Sequence, residues 1–142
     1  MRRLFCLLAL TFVASSAYAQ RFNLGMATCK GSFQPSVASY RRQVFFEGQG
    51  FSLWNSADRY DQLIYDMNEY AVLTSGVVRG ERKGSSNFNE FHYVVEVSPK
   101  MVKLWENSTP HYNRVKITHF AECVLDRPMN AQRFEDLKRQ VL

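Results

Sequence analysis

The stretch from Phe88 to Trp105, FNEFHYVVEVSPKMVKLW, constrains the fold more than any other part of the chain. Phe91, Tyr93, Val95 and Val97 alternate with His92, Val94 and Glu96. Beyond Ser98-Pro99-Lys100 the alternation resumes, with Val102 and Leu104 set against Met101, Lys103 and Trp105. A period of two puts successive side chains on opposite faces of a pleated strand. Pro99 has no N–H to give to a ladder, which suits a turn and would weaken a central strand. The stretch therefore reads as two β-strands joined by a tight turn.

Residues 1–19 read as a secretory leader. Arg2 and Arg3 supply the positive start, Leu4 to Ala14 the apolar run, and Ala17-Tyr18-Ala19 an A-x-A cleavage site. The apolar run falls short of the ~20 residues a bilayer-spanning helix needs. The expectation is export to the periplasm or an extracellular space, with a mature chain starting at Gln20, and no later segment is long and apolar enough to span a membrane. Residues 20–142 suit one β-rich domain with a modest core. Loss of the two leader arginines takes the formal net charge from +5 to +3. Lys and Arg are scattered, adjoining only in short pairs such as Arg41-Arg42 and Arg82-Lys83. That is not the dense basic patch a nucleic-acid partner requires.

Cys6 belongs to the leader, so the mature chain holds Cys29 and Cys123. An even pair in a small exported domain is expected to form a disulfide. Metal-binding thiols come in close-spaced sets and redox pairs as C-x-x-C, and neither pattern is present. Closing a loop of roughly ninety residues stabilises a fold by about 4 to 5 kcal/mol in the loop-entropy treatment.

Elsewhere the pattern is less regular. Residues 20–34 read as an extended lead-in pinned by Cys29, and Pro35 to Tyr40 as a loop or short helical turn. Gln43–Glu47 and Phe51–Trp54, separated by Gly48-Gln49-Gly50, read as a hairpin. Residues 57–66 fit either a helix capped in Asn55–Asp58 or a strand. The run Tyr70, Val72, Thr74, continuing at Val77 and Val78, reads as a strand with a bulge at Gly76, and Leu63–Leu73 repeats the hairpin plan of apolar run, turn and apolar run. Arg79–Asn87 is polar and Gly/Ser-rich and reads as the longest exposed loop. Thr109–Leu125 reads as a long half-buried strand, with Val115, Ile117, His119, Ala121 and Cys123 inward and Arg114, Lys116, Thr118 and Glu122 outward. After Asp126-Arg127-Pro128 a helix is expected from about Ala131, capped by Asn130, with Phe134, Leu137 and Val141 on one stripe and Glu135 placed to pair with Arg139. The fold class is mainly β: a single antiparallel sheet of about six to eight strands, curled into a small barrel or sandwich, with a C-terminal helix.

No pattern of catalytic residues emerges. His92, His111 and His119 show no H-x-H, H-x-x-H or H-E-x-x-H spacing, so no metal site and no cofactor are expected. His119 and Cys123 share a face but lie about 13 Å apart along a strand. G-x-S-x-G is absent, as are both phosphate-binding glycine patterns. Asp58, Asp61 and Asp66 suit turns and a polar helix face.

Aromatics make up 14% of the chain, which suits a sheet core and also a binding surface. The expectation is a non-enzymatic exported module of binding or inhibitor type, whose partner is another exported protein. Its contacts would come from Arg79, Arg82 and Lys83 in the polar loop, together with Trp54, Tyr93 and Trp105. The alternative is a lipocalin-like small barrel that takes a small apolar ligand into its interior. A hydrolase whose residues meet only in three dimensions would be signalled by His92 or His119 facing a carboxylate across a cleft.

Overall fold

A computed structural model describes residues 21–54 and 62–142. The expected leader and its cleavage site lie outside the described residues, as do Asn55–Asp58, Asp61 and the first part of the helix-or-strand segment. The order of elements is β1 (Arg21–Gly31), β2 (Tyr40–Glu47), β3 (Gly50–Trp54), β4 (Gln62–Asp66), β5 (Glu69–Val72), β6 (Val78–Ser85), β7 (Asn89–Val97), β8 (Met101–Pro110), β9 (Ile117–Leu125) and α1 (Ala131–Val141).

All nine strands belong to one antiparallel sheet in the order β4-β3-β2-β1-β9-β8-β7-β6-β5, curled into a half-barrel. It is a single layer, so the sandwich alternative falls away. Every pairing joins neighbours in sequence except β1 with β9, where Ala27 to Gly31 face Leu125 to Ala121. The edge strands β4 and β5 are separated only by Met67 and Asn68 and run in the same direction, the first paired with β3 and the second with β6. They are two halves of one bent segment, which gives eight strand positions. The expected hairpin within Leu63–Leu73 is thereby corrected, because the two runs never face each other. Met67 is buried at the corner, Asn68 N–H donates to Glu81 C=O at 3.0 Å, and Tyr70 Oη donates to Gln49 C=O at 2.6 Å.

Two other readings are corrected by backbone geometry. Residues 21–31 form a central strand and not a loose lead-in. A bulge between Asn23 and Gly25 breaks its alternation, with Gly25 at φ +88° and its N–H bonded to Asn23 Oδ1 at 2.8 Å. Gly76, at φ +85°, sits in the tight turn between β5 and β6, where Leu73 N–H donates to Val77 C=O at 2.8 Å, and is no bulge. The long strand expected from Thr109 is also two elements. Thr109 and Pro110 end β8, a turn closes with Arg114 N–H on Pro110 C=O at 2.9 Å, and β9 starts at Ile117.

The concave face is filled. Val44, Phe46, Phe51, Leu53, Val95, Val97, Val102 and Leu104 from the strands pack with Phe134, Leu137 and Val141 from α1. Each such side chain contributes roughly 1.5 to 3 kcal/mol by leaving water. The helix starts where Asn130 Oδ1 accepts from Arg133 N–H at 2.8 Å, the expected cap. Along its outer face Glu135 pairs with Lys138, and Asp136 with Arg139 at 2.9 Å, in place of the Glu135–Arg139 pair expected from spacing. Gln49 Nε2 donates to Val141 C=O and Gln140 Nε2 to Gly48 C=O, both at 3.2 Å, tying the end of the helix to the β2–β3 turn. Met129 N–H donates to Pro99 C=O at 2.7 Å and anchors its approach.

Cys29 and Cys123 are directly opposed across the β1–β9 pairing and form the expected disulfide, with Cα atoms 4.0 Å apart. Both are buried in the core.

Candidate binding face

The polar segment expected to be an exposed loop is strand β6, paired with β7 from Val78↔Val97 to Ser85↔Glu90. Its glycines explain the misreading. A Cβ on Gly80 would stand 2.5 Å from the Tyr70 ring, and one on Gly84 would stand 2.3 Å from the Phe91 ring. The glycines leave room for aromatic rings to lie across the strand, a packing use that local sequence does not distinguish from loop punctuation.

Alternation along β6 divides the expected binding residues between the two faces. Arg79 and Lys83 point outward with Trp105. Arg82 and Tyr93 are cross-strand partners on the inward side. There the Arg82 guanidinium lies 5.7 Å from the Phe91 ring centre, and Tyr93 stacks on Phe91 at 4.9 Å. Burial pushes the Tyr93 hydroxyl up from its ordinary value, and Glu106 adds to the shift. Trp54 closes β3 opposite Gln43, and its side chain lies outside the described residues.

Register orders the convex face of β6 to β9 into three cross-strand rows. The first is Arg79, Glu96, Lys103, Glu122 and, across β9, Lys30 of β1, with charges alternating along the row. The second is Glu81, Val94, Trp105 and Phe120. The third is Lys83, His92, Asn107 and Thr118. Opposite charges directly across a ladder contribute roughly 0.2 to 1 kcal/mol per pair.

The first row braces the second. Arg79 Nε is 3.0 Å from Glu81 Oε1, Arg79 Nη1 is 3.2 Å from Glu96 Oε1, and His92 Nε2 is 2.8 Å from Glu81 Oε2. The hydrogen bond from His92 holds the Glu81 carboxyl below its ordinary value; burial opposes this, and Arg79 reinforces it. The third row is fixed by Asn107, whose Nδ2 donates to His92 C=O at 3.2 Å and whose Oδ1 accepts from Thr118 at 2.8 Å.

Two adjoining open grooves follow from this arrangement. One, of about 310 Å³, is lined by Arg79, Val94, Glu96 and Trp105; the other, of about 490 Å³, by Lys83, Glu90, Phe91 and Thr109. They share His92, Asn107 and Lys116. Beside them Phe120 and Val124 remain 43% and 47% exposed. Neither was singled out from sequence, although the alternation of β9 itself sets both on its charged side. A larger cleft of about 620 Å³ lies between the β1 bulge and the β9–α1 link, where Asp126 and Arg133 are already engaged. Asp126 is held by Arg41, and Arg133 reaches Asn23 C=O and lies over Phe22.

The histidines are committed to structural contacts. His92 faces a carboxylate, as a convergent hydrolase would require, but Glu81 is already bound by Arg79. Ser85 Oγ lies 3.4 Å from His111 Nε2, and that nitrogen also lies 3.0 Å from Ser86 C=O. A carbonyl only accepts, so Nε2 carries the proton and has no lone pair for the serine. His119 packs on the Phe33 ring at 5.7 Å. Among the described residues no three His, Cys, Asp or Glu side chains converge in a group that could hold a metal ion. No helix among them is long and apolar enough to cross a membrane.

No protein family, no curated protein and no solved structure matches the chain.

Proposed function

We propose that the chain is an exported, non-enzymatic binding protein that holds another exported protein on the convex face of β6–β9. One observation carries the reading. Trp105, half-buried, and Phe120, exposed, stand side by side on the solvent side of the sheet over the buried Val94, between a braced charge row and a polar row. Solvent faces of antiparallel sheets are ordinarily polar, and an apolar stripe with a charged rim is the anatomy of a protein interface. Arg79, Lys83 and Trp105 remain contact residues in this reading, now joined by Phe120. Arg82 and Tyr93 serve the inward packing. The buried disulfide supports export, since such bonds persist in oxidising compartments.

An apolar ligand inside a lipocalin-like barrel has less support. It would have to displace Phe46, Phe51 and Leu137, which pack against each other where it would sit.

A photo-crosslinking residue at Phe120, with a second at exposed Glu135 on the helix as control, tests the face in the exporting cell. The expected result is a discrete adduct from position 120 alone, lost on Trp105→Ala. Equal adduct patterns from both positions, or none from either, would overturn the face. A mature N-terminus other than Gln20, or retention of the protein in the cytoplasm, would overturn export.

A further inference from the structure

The open end of the half-barrel carries a second surface, which adjoins the grooves at Lys83 and Lys116. The β6–β7 turn and the β8–β9 turn lie side by side there, because Asn89 pairs with Pro110 and His111 N–H donates to Phe88 C=O at 3.0 Å. Their tips present the two most exposed large side chains among the described hydrophobic residues, Phe88 at 82% and Tyr112 at 86%. Val115 and Ile117 adjoin them, both exposed.

The two turns are held by their own hydrogen bonds. Ser86 Oγ accepts from both Phe88 N–H and Asn89 N–H at 3.2 Å, and Ser86 N–H donates to Asn89 C=O at 2.8 Å. His111 Nε2 donates to Ser86 C=O across the two turns. Asn113 Oδ1 accepts from Val115 N–H at 3.0 Å, while Arg114 adopts φ +57°, a left-handed conformation unfavourable for a side chain with a Cβ. The backbone thus holds the aromatic rings out in water. Around them stand Lys83, Arg114 and Lys116, with Glu90 the carboxylate of this end, 3.6 Å from Arg114.

We infer that this end docks on an anionic phospholipid surface, with Phe88 and Tyr112 entering the interfacial layer and Lys83, Arg114 and Lys116 facing lipid phosphates. The chemistry of the residues selects this partner. Phe88 has no polar atom and gains only where water is absent. Tyr112 suits the headgroup level, with an apolar ring and a hydroxyl that stays hydrated. Cations beside an anionic leaflet add attraction that falls off within a Debye length. Two projecting tips also offer little of the roughly 800 Å² per partner that a stable protein interface buries. Lys83 and Lys116 border the convex face as well, but Phe88, Tyr112 and Arg114 line neither groove, so the inference rests on the tips whichever protein that face takes.

Flotation with vesicles of phosphatidylcholine alone, and of phosphatidylcholine mixed with phosphatidylglycerol, tests it on the oxidised mature chain. The expected result is partition onto the mixed vesicles and little onto the neutral ones. The double variant Phe88→Ser, Tyr112→Ser should reduce partition by at least about tenfold while melting as the wild type does, since both side chains are exposed. Lys83→Ser and Lys116→Ser should each reduce it about fivefold, the equivalent of roughly 1 kcal/mol per cation at such a surface. Phe88→Trp supplies an independent readout, a blue-shifted emission on adding mixed vesicles. No partition of the wild type, an undiminished double variant, or an unshifted Phe88→Trp would overturn the inference. So would loss of a protein adduct on the double variant with no vesicle binding by either form, which would make the tips a protein contact.

Discussion

Gly31 offers a sharp test of the seam between β1 and β9. Its backbone is at φ +145°, and a Cβ there would stand 2.2 Å from Phe120 C=O oxygen, 3.0 Å from the carbonyl carbon and 3.1 Å from Ala121 Cα. All three are main-chain atoms. They are held in place by Ser32 N–H on Phe120 C=O at 3.0 Å, by Phe120 N–H on Ser32 Oγ at 2.7 Å, and by the disulfide two residues away. Gly25 provides the control, at φ +88° with nothing within 4 Å of a built Cβ. Alanine at either site incurs about 1 to 2 kcal/mol for the positive φ. At Gly31 overpacking against backbone that cannot yield adds about 1 to 3 kcal/mol. Gly25→Ala should therefore lose about 1 to 2 kcal/mol and Gly31→Ala about 2 to 5, a large part of the total stability of a domain this size. Urea unfolding of the oxidised proteins measures the difference, which should separate the midpoints by about 1 to 2 M at similar slopes. Midpoints that coincide would refute the close approach of the two strands.

Three further outcomes are expected. Replacing Cys29 and Cys123 together with Ala should lower the urea-unfolding free energy by up to about 4 to 5 kcal/mol, and the folded wild type should resist reductant because both sulfurs are buried. Glu81 has its folded value depressed by His92, so its contribution is complete above its ordinary value of 4.5 and is lost as pH falls through the folded value. Stability measured against pH should accordingly fall less steeply on the acid side for Glu81→Gln than for the wild type. Tyr70→Phe removes the bond from the β5 edge to Gln49 C=O and should lose about 1 kcal/mol by thermal or urea unfolding.

Sequence was most informative where local chemistry and tertiary role agree. The β7–β8 hairpin keeps a strict period of two around a proline turn. The helix carries its own cap and a single apolar stripe. The cysteines formed an even pair in a chain with a leader pattern. It misled where a residue answers to a neighbour distant in the chain. Gly80 and Gly84 resemble loop residues until the rings of Tyr70 and Phe91 are seen across them. The bulge at Asn23–Gly25 shifts the phase of β1, so a central strand loses its period. The corner at Met67 sends Leu63–Leu73 to opposite edges of the sheet, a choice made by β3 and β6 and not by the segment itself. The convex face was half legible. Arg79, Lys83 and Trp105 were named, but their assembly with Phe120 depends on the register of four strands.

The strand order also bears on how the chain reaches this fold. Because β1 to β4 and β5 to β9 each pair only with sequence neighbours, two meanders can form by short loop closures, which cost little entropy and proceed fast. The one contact of high sequence separation among the described strands is the β1–β9 seam, and the disulfide lies on it, joining residues 94 positions apart. The bridge thus spans the step that brings the two meanders together. Oxidation during folding would lock that seam once the two cysteines meet and keep the two meanders from parting again.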